Sequence, residues 1–284
     1  MNQEDITAEF EQDEVRTPAE LKIWPQVTVA GKTDLGRVRE NNEDKFEYLC
    51  PEDEQMLATR GQVYVVCDGM GGHEAGQIAS ELACKTFIDV YLNHPSADPA
   101  TAARSAVEAA NRFVLDVGRT VPNRQGMGTT LSALLVIESR YLVVQVGDSR
   151  VYRVREGEIE QLTVDHTWVE ETVRAGTLSR EDAENHPYQH VITRAIGTDN
   201  KVTPDVFEGD VEAGDIYLLC SDGLTNHVSD GELKQELTER GPGQAAWNLV
   251  GKALVDGGSD NTTCLVVRID ELKNVGQTEA DPAL

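Results

Sequence analysis

The sequence predicts an α+β protein in which antiparallel sheets are flanked by helices, and three observations predict it. Short segments rich in Val, Ile and Leu occur in consecutive runs. Longer segments of helical period come in pairs between and after those runs. Strict alternation of strand with helix, the pattern of a parallel doubly wound sheet, is absent.

The elements follow in chain order. "RENNEDKF" leads at Phe46 into a short strand, and "VYVVCD" at 63–68 is a second one. From Glu74 onward, Ile78, Leu82, Phe87 and Tyr91 recur at intervals near three and four, the period of a helix. From Pro99, the residues Ala103, Val107, Ala110, Val114 and Val117 trace one helical face, and Pro99 suits the first turn. "TLSALLVIE" and "YLVVQVGDS" read as strands, and "VYRVREGEIEQLT" as a hairpin turning at Glu156-Gly157. "DIYLLCSD" is a further strand. Ser229 and Glu232 form a capping-box pattern before "LKQEL", and "QAAWNLVGKALV" covers another helix. "TTCLVVRI" closes the series. Several of these strands are apolar on both faces, as strands inside a layered core are.

A chain of 284 residues with 39% hydrophobic and 26% charged residues is a soluble globular protein with ample core. A single domain at 27–270 is expected, between an acidic flexible segment at 1–26 and a tail at 271–284. Fifty acids against 25 bases give a net charge of -25, which excludes nucleic acid as a partner because no basic cluster is present. Cys50, Cys67, Cys84, Cys220 and Cys264 are odd in number and form no C-x-x-C pair, so neither a disulfide framework nor a zinc knot is expected. The acidic "MNQEDITAEFEQDEV" is unlike a signal peptide, and no apolar run reaches membrane-spanning length. A cytoplasmic location follows as the expectation.

The acids carry the chemistry. "VYVVCDG" ends on Asp68-Gly69 and "IYLLCSDG" on Asp222-Gly223; "YLVVQVGDS" ends near Asp148; "GGSDN" puts Asp260 and Asn261 before the last strand; "RENNEDKF" puts Glu43 and Asp44 before Phe46. Any one of these is a plain turn signal. Together, beside strongly apolar strands, they are carboxylates that are costly to bury unpaired, and sheets can deliver several of them to one edge. A divalent cation such as Mg²⁺ or Mn²⁺ would neutralise the cluster. Gly69, having no side chain, lets its carbonyl approach such an ion closely.

The ordered set "GRVRENNEDKF", "VCDGMGGHEAG", "GMGTTLSALLV", "VGDSRVYRV", "LTVDHTWVE", "VITRAIGT", "CSDGLTN" and "SDNTTCLVV" resembles the metal-dependent serine/threonine protein phosphatases of type 2C in their bacterial form, from about Thr33 to Ile269. The resemblance implies a four-layer α/β/β/α sandwich, with two central antiparallel sheets flanked by helix pairs. It implies two Mn²⁺ or Mg²⁺ ions, a bridging water or hydroxide that attacks phosphorus, and no phosphoenzyme. Asp68 would bridge the ions with the Gly69 carbonyl on one of them, and Asp222 and Asp260 would hold the other. Glu43 and Asp44 would hold metal-bound waters, Asn261 would support Asp260, and Arg39 would grip the substrate phosphate. Asp148 would bind a third, weaker ion. The implied partners are phosphoserine and phosphothreonine proteins, opposing a cytoplasmic Ser/Thr kinase, with the enzyme a monomer.

Two positions depart from the family. Asn226 stands where many bacterial relatives have an acid, which should weaken a third site. Met70 stands where animal relatives have the histidine proposed as general acid; His73 lies nearby in sequence, and a metal-bound water could serve instead. The stretch 163–198 corresponds to the family's flap. Within it, His166 reads as structural, and His186 and His190, four apart around Pro187, as packing or hydrogen-bonding groups rather than zinc ligands. "GMGTT" reads either as a turn or as close packing beside the site. Two further function classes stand beside the phosphatase: a metal-dependent hydrolase of a small phosphate ester, and a catalytically inactive phosphoprotein-binding module.

Overall fold

The structure, a computed structural model, describes residues 19–72, 74–184 and 186–275. In chain order its strands are β1 (Ile23–Asp34), β2 (Asp44–Leu49), β3 (Gln62–Met70), β4 (Gly128–Thr129), β5 (Leu131–Ile137), β6 (Arg140–Val146), β7 (Arg150–Arg155), β8 (Glu158–Gln161), β9 (Asp205–Asp210), β10 (Ile216–Cys220) and β11 (Thr262–Asn274). The helices are α1 (Glu54–Thr59), α2 (Ala75–Asn93), α3 (Pro99–Thr120), α4 (Trp168–Arg174), α5 (Arg180–Glu184), α6 (Asp222–Thr225), α7 (Asp230–Glu239) and α8 (Pro242–Val255).

Alternation along the strands builds three cores. In β3, Val63, Val65 and Cys67 pack with α2 and α3, while Tyr64 and Val66 point into the space between the sheets. In β10 and β11, Leu218, Cys220, Cys264 and Val266 pack under α7 and α8, while Tyr217, Leu219, Leu265 and Val267 meet the other sheet. A strand with period-two side chains and apolar residues on both faces can satisfy two cores at once, which is why these segments are near-continuous apolar runs. The first sheet has the order β1-β11-β10-β7-β8 and the second β2-β3-β5-β6-β9, with β4 on β3; the pairings are antiparallel. This is the expected four-layer sandwich.

The local signals are used as read. Asp98 caps α3 by accepting from Thr101 N at 2.9 Å, with Pro99 in the first turn. Ser229 and Glu232 close a capping box at α7. Glu156 and Gly157 both have positive φ, as a tight primed turn between β7 and β8 requires.

Strands β1 and β11 reach into the segments expected on either side of the domain. β1 starts at Ile23, inside the segment expected to be flexible, and Ile23 pairs with Asn274, inside the expected tail. β1 and β9 were not foreseen. Both are edge strands, buried on one side at most, and β1 carries Pro25, so neither shows a sustained apolar run. Residues 1–18 and 276–284 lie outside the described residues, as does His73. All five cysteines are free. Among the described residues no helix is long and apolar enough to cross a membrane.

Candidate metal centre

The acids of both sheets meet at one end of the sandwich. Asp68 lies near the end of β3 and pairs across the sheet with Asp44, the first residue of β2. Asp148 sits in the turn between β6 and β7. From the other sheet, β10 delivers Asp222 as the first residue of α6, and Asp260 precedes β11. A cleft of about 630 Å³ is lined by Arg39, Glu43, Asp68, Gly69, Asp148, Asp222, Asp260 and Asn261 among others. Asp44 is buried beneath it rather than lining it.

The carboxylates strain against one another. Burial first, then the charges of Asp44 and Asp222, hold Asp68 well above the usual carboxylate range. Burial pushes Asp44 up to about 7 and Asp148 up to about 8, with Asp222 adding to both; Asp222 is raised as well, by burial and by Asp260. Asp44 Oδ2 accepts from Ser221 Oγ at 2.7 Å, but its Oδ1 is buried with no hydrogen-bond partner. Such a set is stable only if protons or cations offset its charge. Among the described residues no three His, Cys, Asp or Glu side chains stand as a ready coordination shell. The donors are nonetheless all oxygens, the chemistry that hard cations take.

The surroundings hold these acids through the backbone. Asn261 accepts from Glu43 N at 2.8 Å and donates to Leu35 O and Asn41 O, so it staples the loop carrying Arg39 to the start of β11. Its own N–H caps Asp260 Oδ1 at 2.8 Å. Arg39 Nη2 donates to Asp260 Oδ2 at 2.6 Å. Asn226 Nδ2 donates to Asp222 Oδ2 at 3.2 Å, so Asn226 is a hydrogen-bonding neighbour of a site acid.

The glycines after Asp68 and Asp222 have a reason the sequence did not show. A Cβ on Gly69 would lie 2.1 Å from Gly76 O, and one on Gly223 would lie 2.0 Å from Asn261 O. Each glycine lets another backbone segment press against the acid-bearing turn.

The segment at 163–198, expected to be a flap, carries α4 and α5 and borders a second cleft, of about 590 Å³, that shares Asp148 and Asp222 with the first. His186 stacks on Trp168, with ring centroids 4.9 Å apart, so packing is its role. His190 lines both clefts, its Nδ1 4.0 Å from Asp222 Oδ2. Sequence reasoning grouped the two histidines and did not separate their roles. His166 is structural: its Nδ1 accepts from Gly147 N at 3.1 Å, and its carbonyl accepts from Thr193 N, clamping the flap's base to the Asp148 turn. His166 Nε2 lies 3.3 Å from Asp205 Oδ2.

Also unforeseen were Ser221, bonded to Asp44, and His227. The latter accepts at Nε2 from Ser259 N at 3.2 Å, with Ser259 Oγ 2.8 Å away, and faces Asp256 with Nδ1. His227 thereby ties the end of α6 to the loop before Asp260. No motif in the sequence marks this link, since the partners are 32 residues apart.

A sequence profile of the family described as Protein phosphatase 2C matches residues 37–248. The serine/threonine phosphatase stp of Listeria monocytogenes is 37% identical over 244 residues, covering 84% of this chain and 94% of that protein. Among solved structures, the S. agalactiae serine/threonine phosphatase superposes with a TM-score of 0.78 at 33% identity, over 86% of this chain and 100% of that one. The catalytic domain of serine threonine protein phosphatase PstP in complex with 2 manganese ions superposes with a TM-score of 0.73 at 35% identity, over 86% of this chain and 99% of that one.

Proposed function

The chain belongs to the protein phosphatase 2C family, and from that premise we propose that it hydrolyses phosphoserine and phosphothreonine in proteins, with two Mn²⁺ or Mg²⁺ ions and without a phosphoenzyme. The observation that carries this reading is the set of mutually repelling acids Asp68, Asp148 and Asp222, the second buried and the others half-buried, with Asp260 beside them and Arg39 at the rim.

Bound ions would supply Lewis-acid charge and an activated water. The chain's own residues do the rest. Asp68, the Gly69 carbonyl, Asp222 and Asp260 would hold the pair, with Glu43 and Asp44 behind them; Asp148 would hold a weaker third ion. Asn261 keeps the two loops in register. The Arg39 side chain is 54% exposed, so it can exchange Asp260 for phosphoryl oxygens, which suit its planar fork equally well. The flap, with His190 over the cleft, shapes the approach of the peptide.

The thiols support a mechanism without covalent capture. Cys67, Cys84, Cys220 and Cys264 are buried in α2 and the strands, and burial pushes the Cys264 thiol up to about 12. The exposed Cys50 follows β2 at the end opposite Asp44. The free cysteines fit a reducing compartment, and we place the enzyme in the cytoplasm, acting as a monomer against a Ser/Thr kinase.

The test is phosphate release from a phosphothreonine peptide by metal-stripped protein, with Mn²⁺ titrated back, beside Asp68→Asn. Mn²⁺-dependent release that the substitution abolishes is the expected result. Folded protein that releases phosphate only from a small ester, or binds the phosphopeptide without releasing it, would favour the small-ester hydrolase or the binding module in turn.

A further inference from the structure

Beneath the acids, β4, β5, β6 and the turn into β7 carry a block of polar side chains inside otherwise apolar surroundings. Thr129, Thr130, Ser132, Gln145 and Ser149 are all buried. Thr130 Oγ1 accepts from Asp68 N at 2.8 Å, while Asp68 O accepts from Thr130 N and from Thr129 Oγ1, both at 2.8 Å. The peptide groups on either side of the Asp68 α-carbon are thus held by two adjacent threonines. Thr130 Oγ1 also lies 2.6 Å from Ser149 Oγ, one residue after Asp148. Ser149 O in turn accepts from Ser132 Oγ at 3.0 Å and from Gln145 Nε2 at 2.6 Å, and Gln145 Nε2 also donates to Gly147 O at 3.0 Å.

Buried hydroxyls cost free energy unless every one is satisfied, and hydrophobic residues would fill this space at less risk. What the hydroxyls provide instead is direction. The backbone of Asp68, on one strand, and that of Asp148, on a neighbouring turn, are joined through a hydroxyl–hydroxyl contact in addition to the sheet pairing. The backbone segments that carry the two carboxylates are thereby tied to each other.

We propose that Thr130 and Ser149 are positioning residues that set the spacing of Asp68 and Asp148 and thereby the cation affinity of the site; this rests on the metal-centre reading above. They touch neither substrate nor ion and act through the backbone of the acids. The Thr130 side chain must both accept from Asp68 N and reach Ser149, which a serine can do and a valine cannot.

The measurement is Mn²⁺ binding by electron paramagnetic resonance of the free ion, alongside thermal melting of the metal-free protein. Thr130→Val should weaken Mn²⁺ binding by about tenfold, the usual scale for partners that orient ligands. Thr130→Ser should bind as wild type does. Ser149→Ala, which leaves the bond from Asp68 N to Thr130 intact, should show a similar loss. The double variant should lose little beyond either single one, because the two groups act as one link. Folded Thr130→Val and Ser149→Ala proteins that bind Mn²⁺ like wild type, differing only in melting temperature, would overturn the proposal and leave a purely structural network. Asp68→Asn separates the two levels. If it too binds Mn²⁺ like wild type, the metal-centre reading itself fails; if it alone loses binding, only the positioning role does.

Discussion

Arg39 Nη2 donates to Asp260 Oδ2 at 2.6 Å, joining two residues 221 positions apart at the mouth of the cleft. The Arg39 side chain is more than half exposed, so the pair adds little to stability. Its consequence is competition: the guanidinium and a bound cation seek the same carboxylate. Arg39→Ala should therefore raise KM for a phosphothreonine peptide by roughly tenfold or more, the scale of a charge-assisted hydrogen bond, while Mn²⁺ binds at least as tightly as in wild type. Arg39→Lys should recover only part of the KM, since an ammonium lacks the fork. Steady-state kinetics with a parallel Mn²⁺ titration reads both, and a KM unchanged in Arg39→Ala would remove this residue from phosphate binding.

His166 makes the fold sensitive to acid. It is buried, and burial first, then the charge of Arg194, lowers its pKa, against the pull of Asp205 and Glu171. The unfolded imidazole titrates near 6.5, so the folded state binds fewer protons than the unfolded state below that pH. The stability due to neutral His166 is present above about pH 6.5 and is lost as pH falls through its lower folded value. Between pH 7.5 and 5.5 the melting temperature of wild type should fall further than that of His166→Asn, whose amide oxygen can still accept from Gly147 N. Equal slopes in the two melting profiles would show that the acid sensitivity lies elsewhere.

Gly69→Ala should destabilise without removing any ligand. The added Cβ would meet Gly76 O at 2.1 Å, and both partners are backbone, so β3 or the start of α2 must shift. Overpacking of this kind costs about 1–3 kcal/mol. Urea denaturation of the metal-free protein should show that loss in the midpoint with an unchanged slope.

Ser259 is an exposed hydroxyl with His227 and Asp256 behind it in the order of a serine triad. Asp256, however, is 66% exposed, too well solvated to hold the imidazole strongly. Hydrolysis without a phosphoenzyme requires Ser259→Ala to keep its turnover within about twofold, a change of under ~0.5 kcal/mol in barrier. Rapid-quench labelling with a ³²P-phosphopeptide should leave no label on the wild-type chain, and label retained by wild type but lost in Ser259→Ala would replace the direct mechanism.

Much of this architecture is legible in local pattern. The apolar runs at 63–68 and 131–137, the caps at Asp98 and Ser229 and the turn at Glu156-Gly157 lie where composition and period place them. The acids at strand ends were legible for the same reason: a carboxylate beside a buried strand is conspicuous in any single window. The edges were not. β1, half-buried and interrupted by Pro25, gains its place from twelve pairings to β11, a partner more than two hundred residues away.

Residue order alone was thus enough for the class of fold and the identity of the acids, because side-chain period, burial tendency and charge are properties of short stretches. Assembly was needed for the relations among them. Asp44 faces Asp68 through strand register, Arg39 meets Asp260 through the pairing of β1 with β11, and His190 rather than His186 lies over the cleft because Trp168 holds the other ring. The Thr130–Ser149 contact belongs to the same group. These relations depend on distances between segments remote in the chain, which packing sets and no local pattern encodes.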